Sequence, residues 1–350
     1  MTLKEKINRL LPAWIKNTGP ENGVVLSSRI RLARNLRNIP FPHYAGERQL
    51  EEVIHLTEKA LNRPAPGETL KMIRLDALDR LGRFVLVEKH LISPNLAKQP
   101  AHRGIMVNDG EGLTVMINEE DHLRIQAMVS GLQLNKAWEL ADQTDDYLED
   151  ALNYAFDEQR GYLTACPTNA GTGLRASVMV HLPALSMVGQ AKKVLAALPH
   201  VGLNVRGIYG EGTESTGNLF QISNQVTLGD SEEELVGKLV SVTRQVVEQE
   251  KSARKVLLKE SRMQLENKVY RAYGLLTQSR LLTSAEAMNL LSDVWLGVEA
   301  GIIPAVHFQA VKELLLLIRV AILQQLIGKD LDPGERDYYR ALVIREHLTT

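Results

Sequence analysis

Residues 166–181 read CPTNAGTGLRASVMVH and constrain the chain more than any other stretch. Gly171 and Gly173 make a tight turn, Arg175 follows, and an apolar run then has the length and composition of a buried strand. Any fold that holds this stretch must carry a strand with a glycine turn at its start. Such a turn beside an arginine suits an anion, because backbone N–H groups in a glycine-rich bend and a guanidinium fork both favour negative charge. The same residues also suit a plain turn into a buried strand, and alone they do not separate the two.

At 350 residues the chain is long enough for about two domains with a sizeable core. A net charge of −1 leaves no global field for nucleic acid or an anionic membrane, so any basic site must be local. One cysteine excludes an intrachain disulfide framework and points to a reducing compartment. The opening MTLKEKINRL mixes charges into its apolar positions, without a signal-peptide core. The longest apolar run, 314–323, is interrupted by Arg319 and is too short for a bilayer. These features predict a cytoplasmic protein, with no membrane and no direct nucleic-acid contact.

Periodicity predicts the rest in outline. A short amphipathic helix over 1–20 ends at Gly19-Pro20, and a helix over 47–63 stops at the loop that begins with Pro64. Strands are predicted at VVLSSRIRLARN, at RFVLVEKHLISP, and at 105–107 and 113–117, the last two joined as a hairpin through Asn108 and its glycine-rich turn. Helices follow at about 131–160 and 184–198, with strands at 203–208 and LFQISNQVTLG. Ser231 and Glu234 form a capping box opening a helix that runs to about residue 258 and marks the domain edge. Beyond it the chain turns helical and glycine-poor. Thr283 and Glu286 form a second box, Pro304 suits a helix's first turn, and 314–326 should bury its stripe within a bundle or a dimer.

Four further stretches carry candidate chemistry. Around SSRIR, a strand's period of two puts Arg29 and Arg31 on one face, close enough to grip one polyanion, though a solvated edge strand has the same pattern. At 118–121, Asn-Glu-Glu-Asp crowds carboxylates that suit a helix's first turn, or equally a catalytic base. The run RGIYGEGTESTG from Arg206 is long enough to be a lid or a flexible hairpin. Asp332-Pro333 starts a helix on which Arg336 and Arg340 lie four apart, with Asp337 three before Arg340. There is no GxxxxGK(S/T), no HRDxxxxN with DFG and no clustered His/Cys set, which argues against a P-loop, an ordinary protein-kinase fold and a protein-held metal. Instead Arg29, Arg31, Arg124, Arg175 and Arg206 sit in separate stretches, an arginine cage that with Mg²⁺ could do the work of a P-loop.

Together these stretches resemble the phosphagen (ATP:guanidino) kinases, which move the ATP γ-phosphoryl group onto a guanidino nitrogen. CPTNAGTGLR is similar to that family's CP(S/T)NxGTGxR, SSRIRLARN to its phosphate-contacting arginine motif, NEEDHLR to the motif that supplies its base, and RGIYGE to its RGxxGE loop. The motifs stand in the family's order over roughly 20–255. The resemblance implies an α+β fold: an antiparallel sheet flanked by helices in a catalytic domain over 1–255, then an all-α domain over 256–350. It implies ATP, with Mg²⁺ held mainly through the nucleotide phosphates. Nucleotide contacts would come from Ser27, Ser28, Arg29, Ile30, Arg31, His90, Arg124, Arg175, Ala176, Ser177, Val178, Met179, Arg206, Gly207, Ile208, Tyr209, Gly210 and Glu211. Glu120 and Glu211 would hold the acceptor guanidinium. That group is protonated at neutral pH and a poor nucleophile, so a carboxylate must align one nitrogen and take its proton. Cys166 would lie beside the guanidino pocket, as an orienting thiolate or as a small buried hydrophobe.

Two departures narrow the acceptor. Members that act on small metabolites carry a helical domain ahead of SSR that helps close over free arginine or creatine, whereas here 26 residues precede Ser27. Near the C terminus, RDYYRA is similar to the RDxxRA motif with which protein arginine kinases bind phosphoarginine away from the active site. The resemblance therefore points to the bacterial protein-arginine-kinase branch. It implies a homodimer that phosphorylates a heat-shock repressor and misfolded proteins, works with a zinc-binding activator and feeds a Clp chaperone-protease. It also implies an allosteric phosphoarginine site at Arg336, Asp337 and Arg340. A kinase for free arginine or another small guanidine, and a non-catalytic phosphoarginine-binding adaptor, share parts of this pattern.

Overall fold

β1, Val25–Arg34, alternates Ile30 and Leu32 with Arg29 and Arg31, and that alternation sets the two faces of the sheet built around it. The computed structural model describes residues 3–61, 63, 69–207 and 215–349. Its main sheet adds β2 (Leu70–Arg74), β3 (Gly104–Asn108), β4 (Leu113–Ile117), β5 (Leu123–Ser130), β8 (Leu174–His181), β9 (Leu203–Gly207) and β10 (Leu219–Asn224). β6 (Phe156–Asp157) and β7 (Gly161–Tyr162) form a separate small hairpin. The eight strands run β2-β3-β4-β5-β1-β8-β10-β9, antiparallel throughout. β1 is therefore central rather than an edge. One face presents Ile30, Leu32, Ile125, Ala127, Val178 and Ile222, all fully buried, beneath α6 (Leu134–Glu149) and α9 (Glu232–Glu260).

Several elements differ from expectation, each for a local reason. The segment 1–20 forms two helices, α1 (Leu3–Leu10) and α2 (Ala13–Lys16), because Pro12 interrupts the first and caps the second. α3 (Glu47–Leu61) is as read. RFVLVEKHLISP is no strand: α4 (Arg80–Glu88) starts where Asp79 accepts from the Gly82 N–H and ends before His90, whose φ is 62°. Leu81, Phe84, Val85 and Glu88 keep helical spacing, but a short apolar run carries too little period to show it. α5 (Pro94–Lys98) follows. Residues 118–121 open no helix; Asn118, at φ 59°, donates its N–H to the His122 carbonyl and turns β4 back into β5. The expected helix over 184–198 is α7 (Pro183–Met187) and α8 (Ala191–Ala197), separated by Gly189 at φ 71°.

α9 carries the predicted capping box and continues past residue 255, so the chain's break falls at Ser261. α10 (Arg262–Gln278), α11 (Ser284–Glu299), α12 (Phe308–Leu317), α13 (Val320–Ile327) and α14 (Pro333–Thr349) complete the helical part. Pro304 lies in the turn before α12, outside any helix. This part packs on the sheet-bearing part, α13 on α4 and α12 on α2. Lys312 donates to the Asn17 carbonyl (2.7 Å) and Ser130 Oγ (2.6 Å), and Glu88 accepts from the Ile322 N–H (2.8 Å). One apolar core runs from Ile7 to Leu348. Among the described residues no helix is long and apolar enough to cross a membrane.

Candidate active site

The second face of the sheet is polar. The register across β5, β1, β8, β10 and β9 brings Arg124, Gln126, Arg29, Arg31, Arg175, Ser177, Gln221 and Arg206 to one side, with Arg31 directly opposite Arg175. Arg29 spends its Nε on Ser177 Oγ (3.3 Å) and its Nη2 on Gln221 Oε1 (3.1 Å). Burial and the charges of Arg29, Arg124 and Arg175 hold Arg31 well below the ordinary guanidinium range, only partly offset by Glu119. Since an arginine does not give up its proton in a protein, that depression reflects burial first and repulsion second, and an anion would relieve both. The buried Nε groups of Arg31 and Arg175 have no hydrogen-bond partner among the described residues. An unmet buried donor costs about 1–3 kcal/mol, and phosphate oxygens match a guanidinium fork.

A cavity of about 150 Å³ opens on this face. It gathers Arg31, Arg124 and Arg175 with Glu120, Cys166, Thr168, Asn169 and Gly173. The arginines come from β1, β5 and β8, and two turns deliver the rest. In the β4–β5 turn, Glu120 is 42% exposed and pairs through Oε2 with Arg124 Nη2 (2.9 Å), while Glu119 Oε2 meets Arg124 Nη1 (2.6 Å) and its Oε1 accepts from Ser93 Oγ (2.7 Å). Before β8, Cys166 Sγ lies 3.0 Å from Thr168 Oγ1. Gly173 has φ 67°, and a Cβ there would stand 2.6 Å from Arg34 Nη1 and 2.7 Å from the Ala33 carbonyl, so glycine is required. Arg34 holds that turn from below. It is buried, paired with Asp145 (2.5 Å), covered by the Tyr162 ring, and donates to the Thr172 carbonyl (2.9 Å). Sequence reading missed this strut, whose partners lie more than a hundred positions away, and the part of Glu119, which depends on the fold of the β4–β5 turn.

The family model described as the ATP:guanido phosphotransferase C-terminal catalytic domain matches residues 52–253, and that of the protein-arginine kinase McsB C-terminal domain matches 262–350. A protein-arginine kinase of Desulforamulus reducens is 50% identical over 353 aligned positions, covering 100% of this chain and 99% of that protein. Those of Halothermothrix orenii and Bacillus subtilis are 51% and 48% identical over 350 positions, each covering 99% of this chain, and 99% and 96% of the respective relatives. The chain belongs to the protein-arginine kinase family. Among solved structures it is similar to lombricine kinase, with TM-score 0.59 and 26% identity over 71% of this chain and 75% of that one. It is also similar to the substrate-free duplicated taurocyamine kinase of Schistosoma mansoni, with TM-score 0.58 and 28% identity over 74% of this chain and 39% of that one. The sheet flanked by helices is thus the phosphagen-kinase fold, with a helical C-terminal part.

Within this family member, not every expected contact reaches the cationic face. Ile30, Ala176 and Val178 alternate onto the apolar face and are core, and Ser28 joins them there, accepting from the Gln133 N–H (3.0 Å) and donating to the Gly131 carbonyl (2.7 Å). Ser27 and Met179 keep the polar-face register but are buried. His90 crosses the polar face, its carbonyl accepting from Gln126 Nε2 (2.7 Å), and its ring meets Trp14 edge-on at 5.7 Å. Burial, then the charges of Arg29 and Arg319, push its pKa down to about 3, so the ring is neutral. Gly207 ends β9 beside the exposed Arg206. Ile208, Tyr209, Gly210 and Glu211 lie outside the described residues.

In the C-terminal trio, Arg340 is tied to Asp337 and to backbone carbonyls, while Arg336 lines a cleft. Arg340 is 2% exposed, donating from Nε to the Ile318 carbonyl (3.0 Å) and from Nη1 to the Leu282 carbonyl (2.7 Å) and Asp337 Oδ1 (2.5 Å). Arg336 faces another cleft, of about 570 Å³, with Arg80, Glu88, Gln324 and Asp330.

Proposed function

We propose that the chain transfers the γ-phosphoryl group of ATP to a guanidino nitrogen of arginine side chains in proteins. The observation that carries this reading is the cavity in which three arginines, two with an unmet buried Nε, meet Glu120 and Cys166. Arg29, Arg31, Arg124, Arg175 and Arg206 bind the nucleotide phosphates and the charge that spreads over the transferring group. Mg²⁺, held mainly through the nucleotide phosphates, would supply further charge neutralisation. Glu120 aligns the acceptor guanidinium and takes its proton as the P–N bond forms and the bond to the β-phosphate oxygen breaks. Its present partner Arg124 then turns to phosphate. Glu211 is the second carboxylate of this scheme, and Cys166 borders the guanidinium.

The full-length similarity to proteins named for arginine phosphorylation supports a protein acceptor over a free guanidine. The wider reading is a cytoplasmic homodimer that acts on a heat-shock repressor and misfolded proteins, answers to a zinc-binding activator and supplies a Clp chaperone-protease. Phosphoarginine bound at Arg336, Asp337 and Arg340 raises activity. The central test is mass spectrometry without acid after incubation with ATP, Mg²⁺ and an arginine-rich protein. Phosphoryl groups on arginine nitrogen are expected. Phosphorylation of free arginine alone would return the small-guanidine reading, and none at all would remove the enzyme reading.

A further inference from the structure

Asp121 and His122 follow Glu120 directly, and both hold neighbouring segments in place. His122 is buried, accepts at Nδ1 from the Leu36 N–H (3.0 Å) and donates from Nε2 to the Pro40 carbonyl (2.9 Å). Burial lowers its pKa to about 4, which keeps the neutral tautomer this pair of bonds requires. Asp121 Oδ1 accepts from Asn35 Nδ2 (2.7 Å) and from the Ala165 N–H (2.7 Å). The turn that carries Glu120 therefore holds 36–41 directly and reaches 155–163 through Asn35, whose Nδ2 donates to the Leu163 carbonyl (3.0 Å) and whose carbonyl accepts from the Ala155 N–H (2.7 Å). Between them lies a groove of about 330 Å³ lined by Leu36, Ile39, Phe41, Phe156 and Leu163, with Arg37 and Asp157.

We propose that this groove receives an apolar side chain adjacent to the target arginine of a polypeptide acceptor, so that the residue beside the arginine helps set the rate. This rests on the protein-acceptor reading above. Three features support it. Leu163 of the groove stands three residues before Cys166 of the arginine cavity, so these two lining residues are at most about 10 Å apart along the chain, the reach of one arginine side chain and its neighbour. The lining is mostly apolar and its one cation is matched by one carboxylate, which favours an apolar over an acidic occupant. Phe156 is 45% exposed, and its ring packs T-shaped against Tyr162 (5.2 Å), leaving aromatic surface to cover. A free guanidine would leave the groove empty.

The test compares two arginine peptides that differ only in leucine or alanine beside the arginine, phosphorylated by the full chain, by Phe156→Ala and by Phe156→Leu. Because Phe156 is half-exposed, truncating it leaves the core intact. The expected kcat/KM preference of the wild-type chain for the leucine peptide is about tenfold or more. It should fall to within about twofold of unity in Phe156→Ala and largely return in Phe156→Leu. A flat ratio in the wild-type chain, or a preference unchanged in Phe156→Ala, overturns the groove while leaving arginine phosphorylation standing. If neither peptide nor an arginine-rich protein is phosphorylated, the protein-acceptor reading falls and the groove falls with it.

Discussion

Arg31 shows how a single side chain can be informative through what it lacks. Its Nε is buried without a partner among the described residues, and its nearest charges are mostly other arginines. A protein that only needed to fold would gain by replacing it, since unpaired buried charge is among the costliest features of an interior. Arg31→Ala should therefore weaken ATP binding by roughly one to two orders of magnitude without lowering the melting temperature. Arg31→Lys should recover little of that affinity, because an ammonium cannot reproduce the planar fork. Isothermal titration with ATP and Mg²⁺ checks both, and unchanged affinity in Arg31→Ala would take this residue out of the phosphate site. Arg29, by contrast, already has Ser177 and Gln221 as partners, a distinction its place two residues earlier does not reveal.

Elements with a complete local rule were legible before the structure. β1 and β8 could be read from apolar alternation and the glycine turn, the β3–β4 hairpin from its Asn108 turn, and α9 from Ser231 and Glu234. α4 is not legible as a helix because its period lies in only four residues and its cap, Asp79, precedes the apolar run. The β4–β5 turn was legible as a carboxylate cluster, but Asp121 and His122 bond to residues more than eighty positions away, which no local pattern encodes. α14 shows the same limit. Its start was readable, and Asp332 and Glu335 do form a reciprocal box (2.8 and 3.1 Å). The burial of Arg340 against the Leu282 and Ile318 carbonyls was not. For phosphoarginine to bind here, its guanidinium would share Asp337 with Arg340, which bonds Oδ1 alone. Asp337→Ala should therefore abolish any stimulation of the kinase by added phosphoarginine, as measured by initial rate. An undiminished stimulation would make α14 a structural helix only.

At the scale of the whole molecule, the helical part braces the catalytic face rather than hanging from it. Glu88, which takes the Ile322 N–H at the start of α13, is two residues from His90, and burial raises its pKa. Lys312, lowered to about 8 by burial, ties α12 to Asn17 and to Ser130 at the end of β5. Phosphoryl transfer by such a frame is mostly positioning and charge stabilisation, with one proton to remove. The central claim is that Glu120 removes it, while the arginines of the sheet hold the nucleotide. The most direct measurement is the phosphoarginine formation rate of Glu120→Gln beside its ATP affinity. A loss of about two orders of magnitude or more in rate, with ATP affinity within a few-fold of wild type, is the predicted result. A Glu120→Gln enzyme that turns over at near wild-type rate would contradict it.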